Sequence, residues 1–492
     1  MHLPIFYSAM LLTAVNLLLR LVGTAFQVFL SGRIGAAGVG LLQLVMSVGS
    51  FAVVAGVAGV RTASMYLTAG ALGKRKRENV TWVLSACFLY SILFSGSAAA
   101  VLFHFAPQIA RVWIGNGGAA QALRLFAAFL PVVCLANVMT GYFTAANRIG
   151  TLAAVEVAEQ LASMAVTAAL LAGWAGTDAV RACQSVLFGN CCGACLTLTC
   201  LVLLRLREHP AIGPRIPMGR AVASTALPLA LADVLKSGIN TVENLMVPQR
   251  LALHRLTPDP LAAFGIVGGM VFPVLMFPAC ILFGLTELLI PELARCAAGE
   301  CQSRIRYLTK RSLRIALLYG LFFGGLEYLL ADRLCLALYG NAHAGTSLKA
   351  YAPLIPMLYC DAIVDAMTKG LGQQKICVRY NILTSAMDVA LLWLLLPGWG
   401  MKGYFVSFTV THAVNFFLSL RLLLTITGVR LPFYVPAFAV TGVVLAVWGA
   451  GWFSGIPGRI TGYVLLLGSL WCLLRVTGRE DILWLRGLLR KK

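Results

Sequence analysis

VRACQSVLFGNCCGACLTLTCLVLL, residues Val180 to Leu204, is followed at once by RLREHPAIGPRIPMGR, residues Arg205 to Arg220. The first stretch holds one charge, Arg181, at its edge, and crossing a hydrocarbon core of about 30 Å takes roughly 20 such residues at 1.5 Å each. The second is basic and carries three prolines, so it belongs in water. In lipid every backbone N–H and C=O must be satisfied within its own segment or in a closed barrel, and barrel strands would alternate in polarity over about ten residues. No such alternation occurs here, so the apolar run reads as a helix. The same sequence of long apolar run and short polar gap recurs along all 492 residues, of which 60% are hydrophobic and 12% charged. That leaves room for many spans and none for a separate catalytic domain.

A net charge of +21 suggests nucleic acid at first sight. The basic residues instead gather in alternate loops, among them Lys74 to Arg77, the stretch Arg295 to Arg314 and the final tail, as the positive-inside rule requires. The expected orientation puts both termini in the cytoplasm, in a multi-pass protein of the bacterial inner membrane that binds no nucleic acid. Trp82, Trp113, Trp174, Trp399 and Trp452 fall near span ends, where an indole favours the interface. Met1 to Leu19 lacks the basic leader and cleavage site of a signal peptide, and its apolar run continues to Leu30, so it is read as a retained first helix. Most of the 14 cysteines sit inside apolar runs, where a thiol behaves as a small hydrophobe.

One offset relates two halves of the chain. Adding 225 carries Gly40 onto Gly265, Gly115-Asn116 onto Gly340-Asn341, Arg124 onto Lys349 and Pro131 onto Pro356 (265 − 40 = 340 − 115 = 225). The expected fold is all-α and polytopic, with about fourteen transmembrane helices: a six-helix lobe over residues 1–207, a cytoplasmic linker at 208–220, a second six-helix lobe at 221–425, and two further helices with a basic tail at 426–492. Repeats of an even number of helices share one orientation, and transporters built this way hold substrate between their halves.

Residues Arg20 to Val45, RLVGTAFQVFLSGRIGAAGVGLLQLV, carry a resemblance, with VAEQ at Val157 to Gln160, LIPEL at Leu289 to Leu293, LGQQKI at Leu371 to Ile376 and LLPGWGMKGYFVS at Leu395 to Ser407. In that order they resemble the stage V sporulation protein B-like polysaccharide flippases of the multidrug, oligosaccharidyl-lipid and polysaccharide exporter superfamily. The resemblance implies a flippase for a polyprenyl-pyrophosphate-linked saccharide, such as a peptidoglycan precursor or another cell-wall sugar, with a place in spore cortex synthesis. The chain departs from the family's pattern at Val60-Arg61-Thr62 and at Glu287, and it lacks the doubled Arg-Asp signature of the dedicated lipid II branch near Arg20.

Ionisable residues at mid-membrane are costly unless paired or facing a wet cavity, so they are the site candidates. Arg20 and Lys236 each lie roughly 22 Å along their helices at 1.5 Å per residue, on helices that correspond under the repeat. Two such cations suit a pyrophosphate, the arginine as a planar fork and the lysine as a point charge. The plainer alternatives are that Lys236 pairs with Asp233 and that Arg20 pairs with a carboxylate or bonds to Asn16. The expected substrate-binding set is Arg20, Lys236, Asn16 and Arg61, although Arg61, Glu243 and Glu287 fall near span ends, where a long stem also reaches water. Asp361, Asp365 and Lys369 are spaced by four and share one helix face. With Asp388, His412 and, in the first lobe, Glu156 and Glu159, they form the candidate ion-coupling set of Asp361, Asp365, Asp388 and Glu159, for Na⁺ or H⁺. Asp365 with Lys369 also reads as a plain ion pair.

No metal site or other cofactor is expected. Cys192-Gly-Ala-Cys195 has redox spacing but sits on a small-residue packing face with Gly189 and Gly193. GALGKR from Gly70 fails the phosphate-loop pattern, and no HExxH or GxSxG occurs. Lipid-linked saccharide and membrane lipids are the expected partners, and a monomer suffices. The alternative is a cation-coupled multidrug antiporter of the same superfamily. A membrane glycosyltransferase would need an acidic catalytic loop outside the membrane, which the short outer loops do not supply.

Overall fold

The computed structural model describes residues 5–73, 77–176, 178–207, 217–429, 434–474 and 476. Every regular element among them is helical. In order these are α1 (Ile5–Val57), α2 (Val60–Gly73), α3 (Arg77–Gln108), α4 (Ala119–Ala145), α5 (Ile149–Leu170) and α6 (Ala179–Leu206). There follow α7 (Gly219–Leu251), α8 (Pro260–Gly265), α9 (Phe272–Leu275), α10 (Ala279–Ala298), α11 (Gln302–Tyr339) and α12 (Ala342–Tyr351). The last are α13 (Ile355–Gly370), α14 (Gln374–Trp399), α15 (Met401–Thr427), α16 (Tyr434–Ala450) and α17 (Gly455–Leu473).

At some helix starts a polar side chain replaces the missing backbone partner. Asp178 accepts from Val180 N at 2.9 Å before α6, and Asp259 from Ala262 N at 2.9 Å before α8. Inside the membrane the hydroxyls fold back on their own helices, as Thr140 does onto Ala136 O and Thr309 onto Ile305 O. All 14 cysteines are free thiols, as expected of residues set in apolar runs.

Nine helices among the described residues are long and apolar enough to cross a membrane, or up to eleven when each bent pair counts as one span. The expected number was about fourteen, and the difference has physical causes. The first candidate, Leu17–Leu72, has 56 residues, far more than one crossing needs, and α1 breaks inside it at Gly35 (φ 67°, ψ 178°). α12 and α13 meet at a 3-10 turn, Ala352–Leu354, and together carry Lys349, Asp361, Asp365 and Lys369. Pro436–Ala450 is short for a full span.

The chain forms two compact units, one of Met1–Gly269 with Ser385–Tyr404, the other of Met270–Thr384 with Phe405–Lys492. These bounds differ from the expected lobes at 1–207 and 221–425. The reason lies in the first unit, where α1 packs on α7 and α8 as well as on α3 to α6. Most of the expected linker, 208–216, lies outside the described residues, as do Lys74 to Lys76 and the tail from 477.

The 225-residue offset has counterparts in local geometry. Gly115 and Gly340 both close a helix in the left-handed region, at φ 74°, ψ 12° and φ 63°, ψ 19°. Asn116 Oδ1 then accepts from Gly118 N at 3.0 Å, and Asn341 Oδ1 from His343 N at 2.9 Å, the same bond at the same offset. Gly40 and Gly265 touch each other within the first unit. A Cβ on Gly265 would lie 3.0 Å from Gly40 Cα and overlap the Ala36 carbonyl, and one on Gly40 would overlap the Leu261 carbonyl.

Candidate functional site

The first unit encloses a cavity of about 510 Å³ between α1, α5 and α6. α1 contributes Leu19, Phe26, Gln27 and Leu30 from one face and, beyond its break, Leu42 and Met46. α5 contributes Glu156, Glu159, Gln160, Ser163 and Met164, spaced three and four apart and so on a single face. Val186 and Asn190 of α6 complete the wall. Leucines, methionines and a phenylalanine therefore alternate with six polar side chains in a bundle whose outer surface is apolar.

Five of the six polar groups are held at one end by a hydrogen bond, and Glu156 interacts electrostatically with Arg61. Thr197 Oγ1 donates to Glu159 Oε2 at 2.5 Å, Ser163 Oγ to Asn190 Oδ1 at 2.8 Å, and Gln160 Nε2 to Leu19 O at 3.0 Å. Gln27 Nε2 reaches Gly269 O at 3.5 Å. Glycines set the spacing: a Cβ at Gly193 would lie 3.1 Å from Glu159 Cγ, one at Gly189 2.6 Å from Ser163 O, and one at Gly23 3.2 Å from Gln160 Nε2. The Gly189–Gly193 face of α6 is thus the seam that lets α5 approach, the packing role expected of the segment around Cys192 and Cys195.

The expected substrate residues lie around this cavity or apart from it. Arg20 follows the lining residue Leu19 but is itself exposed and is not among the lining residues. Lys236 is exposed on α7, and no ion pair joins it to the exposed Asp233 among the described residues. Arg61, exposed on α2, interacts electrostatically with Glu156. The side chains of Asn16 and Glu287 lie outside the described residues.

The expected ion-coupling residues separate into distinct pairs. In the second unit Asn415 Nδ2 donates to Asp361 at 3.4 Å, and Lys369 Nζ to Asp365 Oδ2 at 2.6 Å. His412 stacks on Phe408 with ring centroids 3.9 Å apart. Asp388 is buried in the first unit, hydrogen-bonded to Glu243. Glu243, read from sequence as a residue near a span end, has a buried carboxyl for a partner instead. Glu159 is in the cavity.

Sequence reasoning missed Gln27, Gln160, Ser163 and Asn190 because it sorted residues by charge. The signal was there in VEVAEQLAS, residues 155–163, where polar side chains recur every three or four positions within an apolar run. α1 carried no such stripe, and its single Gln27 reads as any lone amide.

Residues 12–169 match the MatE family model. The chain is 20% identical over 410 residues to Stage V sporulation protein B of Bacillus subtilis (strain 168), covering 80% of this chain and 79% of that one. Its fold is similar to that of the lipid II flippase MurJ in an inward closed conformation, with a TM-score of 0.67 at 12% identity, covering 98% of this chain and 100% of that one. An inward-facing multidrug resistance MATE family transporter of the MOP superfamily matches with a TM-score of 0.66 at 13% identity, over 85% of this chain and 98% of that one. The resemblance carried by the motifs and the likeness of the fold agree: this is a multi-pass membrane protein, helical in every regular element among the described residues, similar to Stage V sporulation protein B and with the fold of the MATE and MurJ transporters.

Proposed function

We propose that the chain is a transporter of the bacterial cytoplasmic membrane, not an enzyme, and that it flips a polyprenyl-pyrophosphate-linked saccharide by alternating access. The observation that carries this reading is the polar cavity inside an apolar bundle, where six hydrogen-bonding side chains keep capacity beyond their protein partners that a hydrophilic guest would use. A likeness that reaches α16 and α17 supports the lipid-linked class: the fold match to the lipid II flippase covers 98% of the chain, that to the MATE transporter 85%. Stage V sporulation protein B, by its name, supports a place in sporulation.

In this reading Arg20 and Lys236 take the pyrophosphate, Asn16 and Arg61 belong to the same substrate-binding set, and the tail remains in lipid. Both cations are exposed, so an anionic group can reach them. Coupling to Na⁺ or H⁺ rests on Asp361, Asp365, Asp388 and Glu159. Asp361 is the strongest of these, since Asp365 already holds the Lys369 ammonium in an ion pair, whereas Asp361 accepts its hydrogen bond from the neutral amide of Asn415.

A second reading, a cation-coupled drug antiporter, is favoured by Glu156 and Glu159, two carboxyls in a cavity with no lysine or arginine among its lining residues. Purified protein in vesicles separates the two. Labelled polyprenyl-pyrophosphate saccharide should cross faster than in empty vesicles, and Arg20→Ala should slow it at least about tenfold, with Arg20→Lys recovering part because the planar fork is lost. Normal transport by Arg20→Ala would remove Arg20 from the site. Transport of an organic cation with none of the lipid would replace the first reading by the second.

A further inference from the structure

From the first-unit cavity we infer that it receives the saccharide part of the lipid-linked substrate, as a neutral, polyhydroxylated guest, and leaves the pyrophosphate outside. This rests on the flippase reading above and assigns a part of the substrate to a place. The cavity's chemistry argues for it group by group. Ser163 engages the Asn190 oxygen, which leaves the amide hydrogens of this lining residue available to a guest. Gln160 spends its nitrogen on Leu19 O and keeps its carbonyl. Glu159 gives one oxygen to Thr197 and keeps the other. The result is one fixed donor set amid several fixed acceptors, the complement of hydroxyl groups that donate and accept in turn. Phe26, Met46 and Met164 supply apolar walls for the C–H faces of a sugar ring.

Other guests fit less well. A pyrophosphate needs donors and cations, and no lysine or arginine lines the cavity. A polyprenyl chain would meet none of the hydrogen-bonding capacity that these side chains keep beyond their protein partners. The volume of about 510 Å³ lies within the range of small-molecule sites, roughly 300 to 1,000 Å³, and is too small for the whole lipid-linked molecule.

The test compares two lipids that differ only in the sugar: undecaprenyl pyrophosphate, and the same lipid bearing a disaccharide, each titrated into the full-length protein in nanodiscs. Wild type should bind the sugar-bearing lipid about tenfold or more tightly, because a site built for hydroxyls discriminates against a ligand that lacks them. Asn190→Leu and Gln160→Leu should erase most of that preference while undecaprenyl pyrophosphate binds as before, and that retained binding reports an intact fold. Gln27→Ala, away from the tight α5–α6 seam, is the second variant and should lower the preference by several-fold. Free disaccharide should compete only at far higher concentration than the lipid-linked form.

Equal binding of the two lipids by wild type would overturn the inference and leave the flippase reading standing. Variants that weaken both lipids alike, or neither, would overturn it too, as would free disaccharide binding as tightly as the lipid. Binding of neither lipid, with tetraphenylphosphonium bound instead, would bring down the flippase reading and this inference with it.

Discussion

α5 in the first unit and α13 in the second carry the same kind of sequence signal, acidic residues three or four apart on one helix face, and the structure treats them differently. On α5, Glu156 and Glu159 stand with Gln160 and Ser163 around a cavity. On α13, Asp365 is closed by Lys369 within its own helix at 2.6 Å, and Asp361 is met by Asn415 of α15 at 3.4 Å. What distinguishes them is the neighbouring helix. α6 offers α5 two glycines, which hold the helices close at one level, and short hydroxyl and amide side chains that grip only one end of each polar group. α13 brings its own cation. A carboxylate stripe becomes a chamber or an ion pair according to what faces it.

The largest effect should come from removing the glycine that sets the α5–α6 spacing. Gly193→Leu places a branched side chain where even a Cβ lies 3.1 Å from Glu159 Cγ and 3.2 Å from its carbonyl oxygen. Overpacking of this kind costs about 1–3 kcal/mol or more. Thermal unfolding in detergent should show a clear fall in Tm and transport should be lost. An unchanged Tm would mean that the seam does not hold the chamber open.

A smaller effect is expected from Thr197→Val, which deletes the hydroxyl gripping Glu159 while keeping the volume. Net loss of one such hydrogen bond is about 0.5–1.5 kcal/mol, so transport should fall roughly two- to tenfold with little change in expression. Thr197→Ser should restore it. If valine transports as well as threonine, the orientation of Glu159 has no part in the site.

The smallest effect belongs to the ion pair on α13. The side chains of Lys369 and Asp365 are 37% and 36% exposed, where such a pair is worth about 0–1 kcal/mol. The double variant Asp365→Asn with Lys369→Met should therefore transport within about threefold of wild type, whereas Asp361→Asn should lose its dependence on a Na⁺ or H⁺ gradient. If the double variant is inactive, or Asp361→Asn remains equally gradient-dependent, the roles given to the two regions are the wrong way round.

Much of the fold was legible because lipid leaves the backbone so few choices. Apolar runs gave the helices, and the offset relating Gly115-Asn116 to Gly340-Asn341 reappears as the same left-handed cap and the same Asn bond two residues on. The break at Gly35 was legible too, because the first apolar run ends at Leu30 and the next begins at Gly38, with Arg33 and two glycines between them. At the site, charge picked out Glu159 and Asp361, but it could not say that Asp388 would meet Glu243 from a helix more than a hundred positions away in sequence. It also passed over Asn190 and Gln160, because an amide at membrane depth becomes informative only when its neighbours are known.

The most direct test of the account is the initial rate at which a labelled polyprenyl-pyrophosphate disaccharide changes leaflet in vesicles containing only this protein, wild type beside Asn190→Leu. The account predicts a wild-type rate well above that of empty vesicles and a variant rate at least about tenfold lower at equal protein content, as loss of buried polar partners for a hydroxylated guest implies. A wild-type rate no higher than that of empty vesicles, or a variant as fast as wild type, would contradict it.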